Sequence, residues 1–172
     1  MTSRAIWSRR RLLGVIAAAG GAALAGCDAK SGPEPGPSQT AKPAARDADK
    51  AILVYRDPEC GCCEAWAEIA RGAGYAVTVE NRADMAAVKS RYGVPADLAS
   101  CHTAIVADYA IEGHVPMPHI ARLLRERPDA IKGLAVPGMP RGSPGMEMPD
   151  GSKDDFEVMA FSAEGRATVF SA

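Results

Sequence analysis

The sequence predicts an α/β fold: one domain with a central mixed sheet flanked by helices and a β-hairpin at the C-terminus. Three observations carry this. Short apolar runs alternate with segments of helical period in the order β-α-β-α-β-β-α. Gly or Pro stands at most of the junctions between them. Residues 50–172 form a unit long enough to bury one core.

The elements follow in order. Residues 51–55, Ala-Ile-Leu-Val-Tyr, are an apolar run ended by Asp57-Pro58 and read as a buried strand. Residues 63–73 carry Trp66, Ile69 and Ala70 at helical spacing, and Gly74 suits the C-terminal stop. Residues 75–80 alternate as a strand, and 83–92 form a second helix stopped by Gly93 and Pro95. Residues 103–107 and 109–112 read as a strand pair turning near Asp108. A third helix, 118–127, places Ile120, Leu123 and Leu124 on one face and ends before Pro128. Residues 130–136 fit neither period, and 137–152 form a Gly/Pro/Met loop. Residues 156–161 and 166–170 suggest the closing hairpin around Ala163-Glu164-Gly165.

The segment before this domain reads as targeting sequence. Residues 1–26 hold Arg4, Arg9, Arg10 and Arg11 ahead of an uncharged run too short for a spanning helix, the pattern of an export signal. Leu24-Ala25-Gly26-Cys27 resembles a lipobox, which makes Cys27 the expected lipidation site. Ser8-Arg9-Arg10-Arg11-Leu12-Leu13 also resembles a twin-arginine signal, with a strong general-export signal as the alternative. Residues 27–49 then form a Pro/Ala-rich tether. The expected location is the cell envelope, facing the periplasm, with the membrane as partner through the lipid.

Composition limits the function. The 172 residues carry 20 Lys+Arg against 21 Asp+Glu, a net charge of -1, which argues against a nucleic-acid binder. Removing a signal with four Arg and no acid moves that balance to -5, so lipid rather than charge would hold the chain at a membrane. Only 5% of residues are aromatic, too few for a stacking platform. The five Cys and seven Met stand out instead.

Cys60-Gly61-Cys62-Cys63 lies between the first strand and the first helix. A helix N-terminus favours thiolates. Cys60 and Cys63 have the spacing of a thiol–disulfide redox pair, and Cys62 adds a sulfur that a simple dithiol does not need. A disulfide between the neighbours Cys62 and Cys63 is disfavoured by strain. Three clustered thiolates suit Cu(I) or Zn(II). In thioredoxin-like folds the loop before the third strand sits beside the dithiol, which brings Cys101 toward the cluster; a disulfide from Cys101 to one of the three is the alternative. His102 offers an imidazole or simply caps backbone groups. Met139, Met146 and Met148 offer soft thioethers from a loop, or pack as filler. His114, Met117 and His119 are weaker candidates, the alternative being an exposed turn followed by a helix start at Pro118.

These motifs resemble one family. Asp57-Pro58 with Cys60-Gly61-Cys62-Cys63 and Trp66, then Gly93-Val94-Pro95, Ser100-Cys101-His102-Thr103-Ala104, Glu112-Gly113-His114-Val115-Pro116 and Gly133-Leu134-Ala135-Val136-Pro137-Gly138-Met139-Pro140, look like the CopG-type proteins tied to copper resistance. The resemblance covers about residues 50–148 and implies a thioredoxin-like fold. It also implies a copper site on Cys60, Cys62 and Cys63, with Cys101 and the Met139 loop nearby. It departs at Ile69, where many relatives carry a His, which puts a helix-borne His ligand in doubt. The expected function is copper binding, Cu(I) foremost, with periplasmic copper-handling proteins as partners and electron exchange between thiols and copper as an extension. The alternatives are a thiol–disulfide oxidoreductase using Cys60 and Cys63, and a structural zinc module.

Overall fold

The structure is a computed structural model and describes residues 49–170. The expected signal segment, Cys27 and all but the last residue of the tether lie outside the described residues. Seven strands form one mixed sheet in the order β2-β1-β3-β4-β5-β6-β7. β1 (Ala51–Arg56) leads into α1 (Gly61–Gly72), which returns the chain to β2 (Ala76–Asn81), parallel to β1. α2 (Met85–Arg91) and a 3₁₀ turn at Ala96–Leu98 then deliver the chain to β3 (His102–Val106), antiparallel to β1. β4 (Tyr109–Glu112) pairs antiparallel with β3, and α3 (Met117–Glu126) follows it. A βαβ unit joined to a ββα unit is the thioredoxin-like arrangement. β5 (Gly133–Ala135), β6 (Met159–Phe161) and β7 (Ala167–Val169) extend the sheet beyond it.

Local chemistry explains most boundaries. Asp84 caps α2 through a bond accepted from the Ala87 amide at 2.9 Å, so this helix starts after Asp84 rather than at Ala83. Pro118 occupies the first turn of α3, where its missing N–H costs nothing. Residues 130–136, undecided by period, supply the three-residue strand β5, buried along its whole length. The closing hairpin is shorter than its pattern suggests, with three residues in each strand.

Alternation along the strands builds two apolar layers. Ile52, Val54, Ala104, Val106, Ile111 and Leu134 pack with Trp66 and Ala70 of α1 and with Ile120 and Leu123 of α3. A smaller cluster joins Ala110, Ala135 and Phe161 to Leu98, with Tyr92 and Ile105 against it. Thr103 and Glu112 face each other in the β3–β4 register, and both are fully buried. A carboxylate so placed needs compensating partners.

Candidate metal and thiol centre

The chain leaves β1 through a turn that its own polar groups hold. Asp57 accepts bonds from the Cys60 amide through its carbonyl, at 3.1 Å, and from the Glu59 amide through its side chain, at 2.9 Å. The Arg56 guanidinium donates to the carbonyls of Asp57, Pro58 and Cys60 at 3.3, 3.2 and 3.0 Å and pairs with Glu64 at 3.3 Å. Cys60 is thereby set as the N-cap residue of α1, with Cys62 and Cys63 in the first turn.

Cys60 and Cys63 form a disulfide, with their Cα atoms 5.5 Å apart. Cys62 and Cys101 are free thiols, both half-buried. The Cys62 sulfur lies 3.5 Å from that of Cys60, and all four sulfurs lie within 4.8 Å of one another. The expected convergence of Cys101 on the Cys60-Gly61-Cys62-Cys63 turn is therefore met.

Cys101 also belongs to a second group. Its sulfur, one nitrogen of His102 and one of His114 lie within 4.8 Å of one another. The Cys101 sulfur is 3.0 Å from Nε2 of His114 and 3.3 Å from Nδ1 of His102. The His114 Nδ1–H donates to the Pro144 carbonyl at 2.8 Å, since a carbonyl can only accept. That bond leaves Nε2 of the neutral ring as the bare nitrogen, aimed at Cys101. His102 is fully buried between Trp66 and His114, with ring centroids 4.8 and 5.1 Å away, and its Nε2 has no hydrogen-bond partner among the described residues.

Burial governs the protonation of these groups. It pushes the Cys101 thiol up to about 12, helped by the neighbouring Cys62 sulfur. It holds His102 well below the usual imidazole range, with His114 and Lys89 adding to the effect. It also lowers His114, against a counter-pull from the Pro144 carbonyl and Glu147.

The loop after β5 closes over the centre through its backbone. Pro144 holds His114, and Gly145 lies on the first turn of α1, with φ +84; a Cβ there would stand 2.8 Å from the Trp66 amide nitrogen. Met139 and Met148 project into solvent, 54% and 38% exposed, while Met146 is half-buried within the tight turn. His119 packs beside Phe170 and belongs to neither ligand group. Trp66 donates its Nε1–H to the Val115 carbonyl at 3.0 Å, which fixes the segment carrying His114.

Behind Cys101 stands a network that sequence reasoning missed. Glu112 accepts from Lys89 Nζ at 2.5 Å, from the Ser100 amide at 2.6 Å and from the Thr103 hydroxyl at 2.7 Å. Ser100 is also bridged to Gly138, and Gly113, at φ +69, leaves the space that Ser100 occupies. The residues on either side of Cys101-His102 are thus bonded to the sheet.

The comparisons fit this geometry. Residues 98–146 match a family model described as "Protein of unknown function, DUF411". No curated protein matches the chain. Two solved structures of copper resistance protein CopG, Form 1 and Form 2, are each 45% identical, with a TM-score of 0.66. Each alignment covers 70% of this chain, and 94% and 95% of Form 1 and Form 2 respectively. The chain belongs to the CopG family. Its CopG-type domain contains the cysteine group and Cys101, as the motifs implied. His114, the weaker ligand candidate, is fully buried and faces Cys101.

Proposed function

We propose that this CopG-family chain is a copper-binding protein of the cell envelope that takes Cu(I) into the cysteine centre. The observation that carries this reading is the gathering of four cysteine sulfurs within 4.8 Å, with Cys101 shared by two buried histidines. Thiolate sulfur and neutral imidazole suit Cu(I) and Zn(II) and fit Mg or Ca poorly. The unpartnered Nε2 of His102 is a buried polar atom that suits such a donor set. The relatives are described as copper resistance proteins, which favours copper over zinc.

Cys60, Cys62, Cys63 and Cys101 would hold the metal, with His114 and His102 at its edge. The loop that carries Met139, Met146 and Met148 would cover the site through its backbone at Pro144 and Gly145, with Met139 and Met148 turned to solvent. Copper supplies a soft, one-electron redox centre. Cys60 and Cys63 contribute only after their disulfide is reduced, and every thiol must lose its proton, so binding releases protons and weakens in acid. Two thiolates that close into a disulfide give up two electrons, enough to reduce two Cu(II) ions. The lipid on Cys27 and the periplasmic location belong to the same proposal, and so do copper-handling partner proteins.

The decisive experiment loads the reduced full chain with Cu(I) and with Zn(II) under anaerobic conditions and counts bound metal. At least one tightly held copper per chain is expected; fewer overturns the reading, and tighter zinc than copper replaces it with a zinc module. The Cys60–Cys63 disulfide at a helix N-terminus favours a second reading, a thiol–disulfide oxidoreductase. Cys62→Ser separates the two, because a Cys60/Cys63 exchange enzyme tolerates it and a four-sulfur metal centre does not.

A further inference from the structure

The Cys60–Cys63 disulfide divides the four sulfurs into two pairs, and the second pair has its own chemistry. Cys62 lies in the first turn of α1 and Cys101 just before β3, both half-buried and free. Their sulfurs are no more than 4.8 Å apart. An ordinary disulfide bond is about 2.05 Å long, so closure takes a shift that side-chain rotation supplies. A proton acceptor for Cys101 is already in place. His114 commits its Nδ1–H to the Pro144 carbonyl at 2.8 Å and presents its bare Nε2 to the Cys101 sulfur at 3.0 Å.

We propose that Cys62 and Cys101 form a second redox dithiol, so that the reduced centre donates four electrons in two steps, first through Cys60–Cys63 and then through Cys62–Cys101.

The second step balances with a disulfide-bearing acceptor, RS–SR, of low molecular weight or on a partner protein. Cys62, as the thiolate, attacks one acceptor sulfur, forming a mixed disulfide and releasing the first RS⁻, which takes up the proton Cys62 has lost. Cys101 passes its proton to Nε2 of His114 as its sulfur attacks that of Cys62. The mixed disulfide breaks, and the second RS⁻ leaves and recovers the proton from His114. Two protein thiols become one disulfide, and one RS–SR becomes two RSH.

This assigns Cys62 a partner other than its neighbour at 3.5 Å, Cys60. It also makes the thiol count of the centre a graded quantity. With Cys60–Cys63 closed, Cys62 and Cys101 still face the histidines; with both pairs closed, only the imidazoles remain as ligands. The proposal is independent of copper, because its readout is covalent.

The test uses the full chain with Cys27→Ser, so that only the four site cysteines count. The reduced protein is exposed to oxidised glutathione over a range of ratios, quenched with an alkylating reagent and mapped by peptide mass. Two successive losses of two thiols are expected, the second yielding a cross-linked peptide pair joining Cys62 to Cys101. The Cys62→Ser variant, oxidised in the same way, should keep Cys101 alkylatable at every ratio. Oxidation that stops at one disulfide with Cys62 and Cys101 both alkylated overturns the proposal. So does a second disulfide joining Cys101 to Cys60 or Cys63. Failure of the copper count, by contrast, would leave these masses unchanged.

Discussion

The Glu112–Lys89 pair offers the sharpest check on how the centre is supported. Glu112 is fully buried, while Lys89 keeps 15% of its side chain exposed. Glu112→Ala removes the acceptor for Lys89, the Ser100 amide and the Thr103 hydroxyl together. Stranding one member of a buried pair costs about 3–5 kcal/mol, and we expect the loss in this range. Lys89→Met acts differently. Burial already pushes the Glu112 carboxyl up, and Lys89 is the chief opposing influence. Without Lys89 the folded state favours the protonated acid still more. The unfolded chain ionises near the ordinary carboxylate value, so the deficit is small below that value and grows as pH rises through the raised folded one. The double variant Lys89→Met/Glu112→Gln removes both charges and keeps an amide oxygen for Ser100 and Thr103. It should cost less than the sum of Lys89→Met and Glu112→Gln taken singly, by about 2 kcal/mol or more. Urea unfolding of the wild type, Lys89→Met, Glu112→Gln and the double variant at two pH values closes the cycle. A coupling energy below about 0.5 kcal/mol would refute the network as a unit.

Three further outcomes follow from the geometry. Gly145→Ala places a Cβ 2.8 Å from the Trp66 amide nitrogen at φ +84; it should cost about 2–4 kcal/mol and shift Trp66 fluorescence as the loop lifts, and an unchanged melt would refute the docking of this loop. His102, His114 and His119 are all held below the usual imidazole value, chiefly by burial. Each is harder to protonate folded than unfolded, so stability is fully present above about pH 6.5 and falls as pH drops through the folded values. Proton NMR titration of the imidazole rings reads this directly, and rings that titrate at the unfolded value in the folded protein would contradict their burial. Asp84→Ala removes the α2 cap at 2.9 Å from the Ala87 amide; a loss of about 1 kcal/mol with unchanged copper stoichiometry is expected, so a stoichiometry change would show that stability alone moves the metal count.

The sulfur half of the centre was legible because its information is local. Cys60, Cys62 and Cys63 fall at a strand-to-helix junction marked by Asp57-Pro58, and this sequence context places them at a helix N-terminus. Cys101 needed one further step, knowledge of which loop lies beside that junction. The imidazole and carboxylate half was less legible, since its partners are far apart in sequence. Lys89 and Glu112 are separated by 23 residues and Trp66 from Val115 by 49. A charged residue ending a strand reads as solvated until the helix that covers it is known. His114 ranked only as a weaker candidate, because Gly113 and Pro116 flank it and allow an exposed turn. The closing loop hides it, and that loop docks through the backbone at Pro144 and Gly145, where no side-chain pattern announces the contact. The same loop explains the attention its methionines drew: their spacing is visible, but the exposure of Met139 and Met148 is decided by which backbone atoms face inward.

These two halves divide the work of the site. Thiolates are soft donors but reactive ones, and a cluster of four can close on itself, as Cys60 and Cys63 have done. Imidazoles cannot be lost in that way. His102 packs on Trp66 and His114 is held by the Pro144 carbonyl, so each ring has a contact besides Cys101. Cys101 belongs to both groups, and its thiol is pushed up to about 12 by burial and by Cys62. Ionising it at neutral pH therefore needs a cation at the sulfur or a base at Nε2 of His114. Metal capture supplies the first condition and disulfide closure draws on the second, and they compete for the same sulfur.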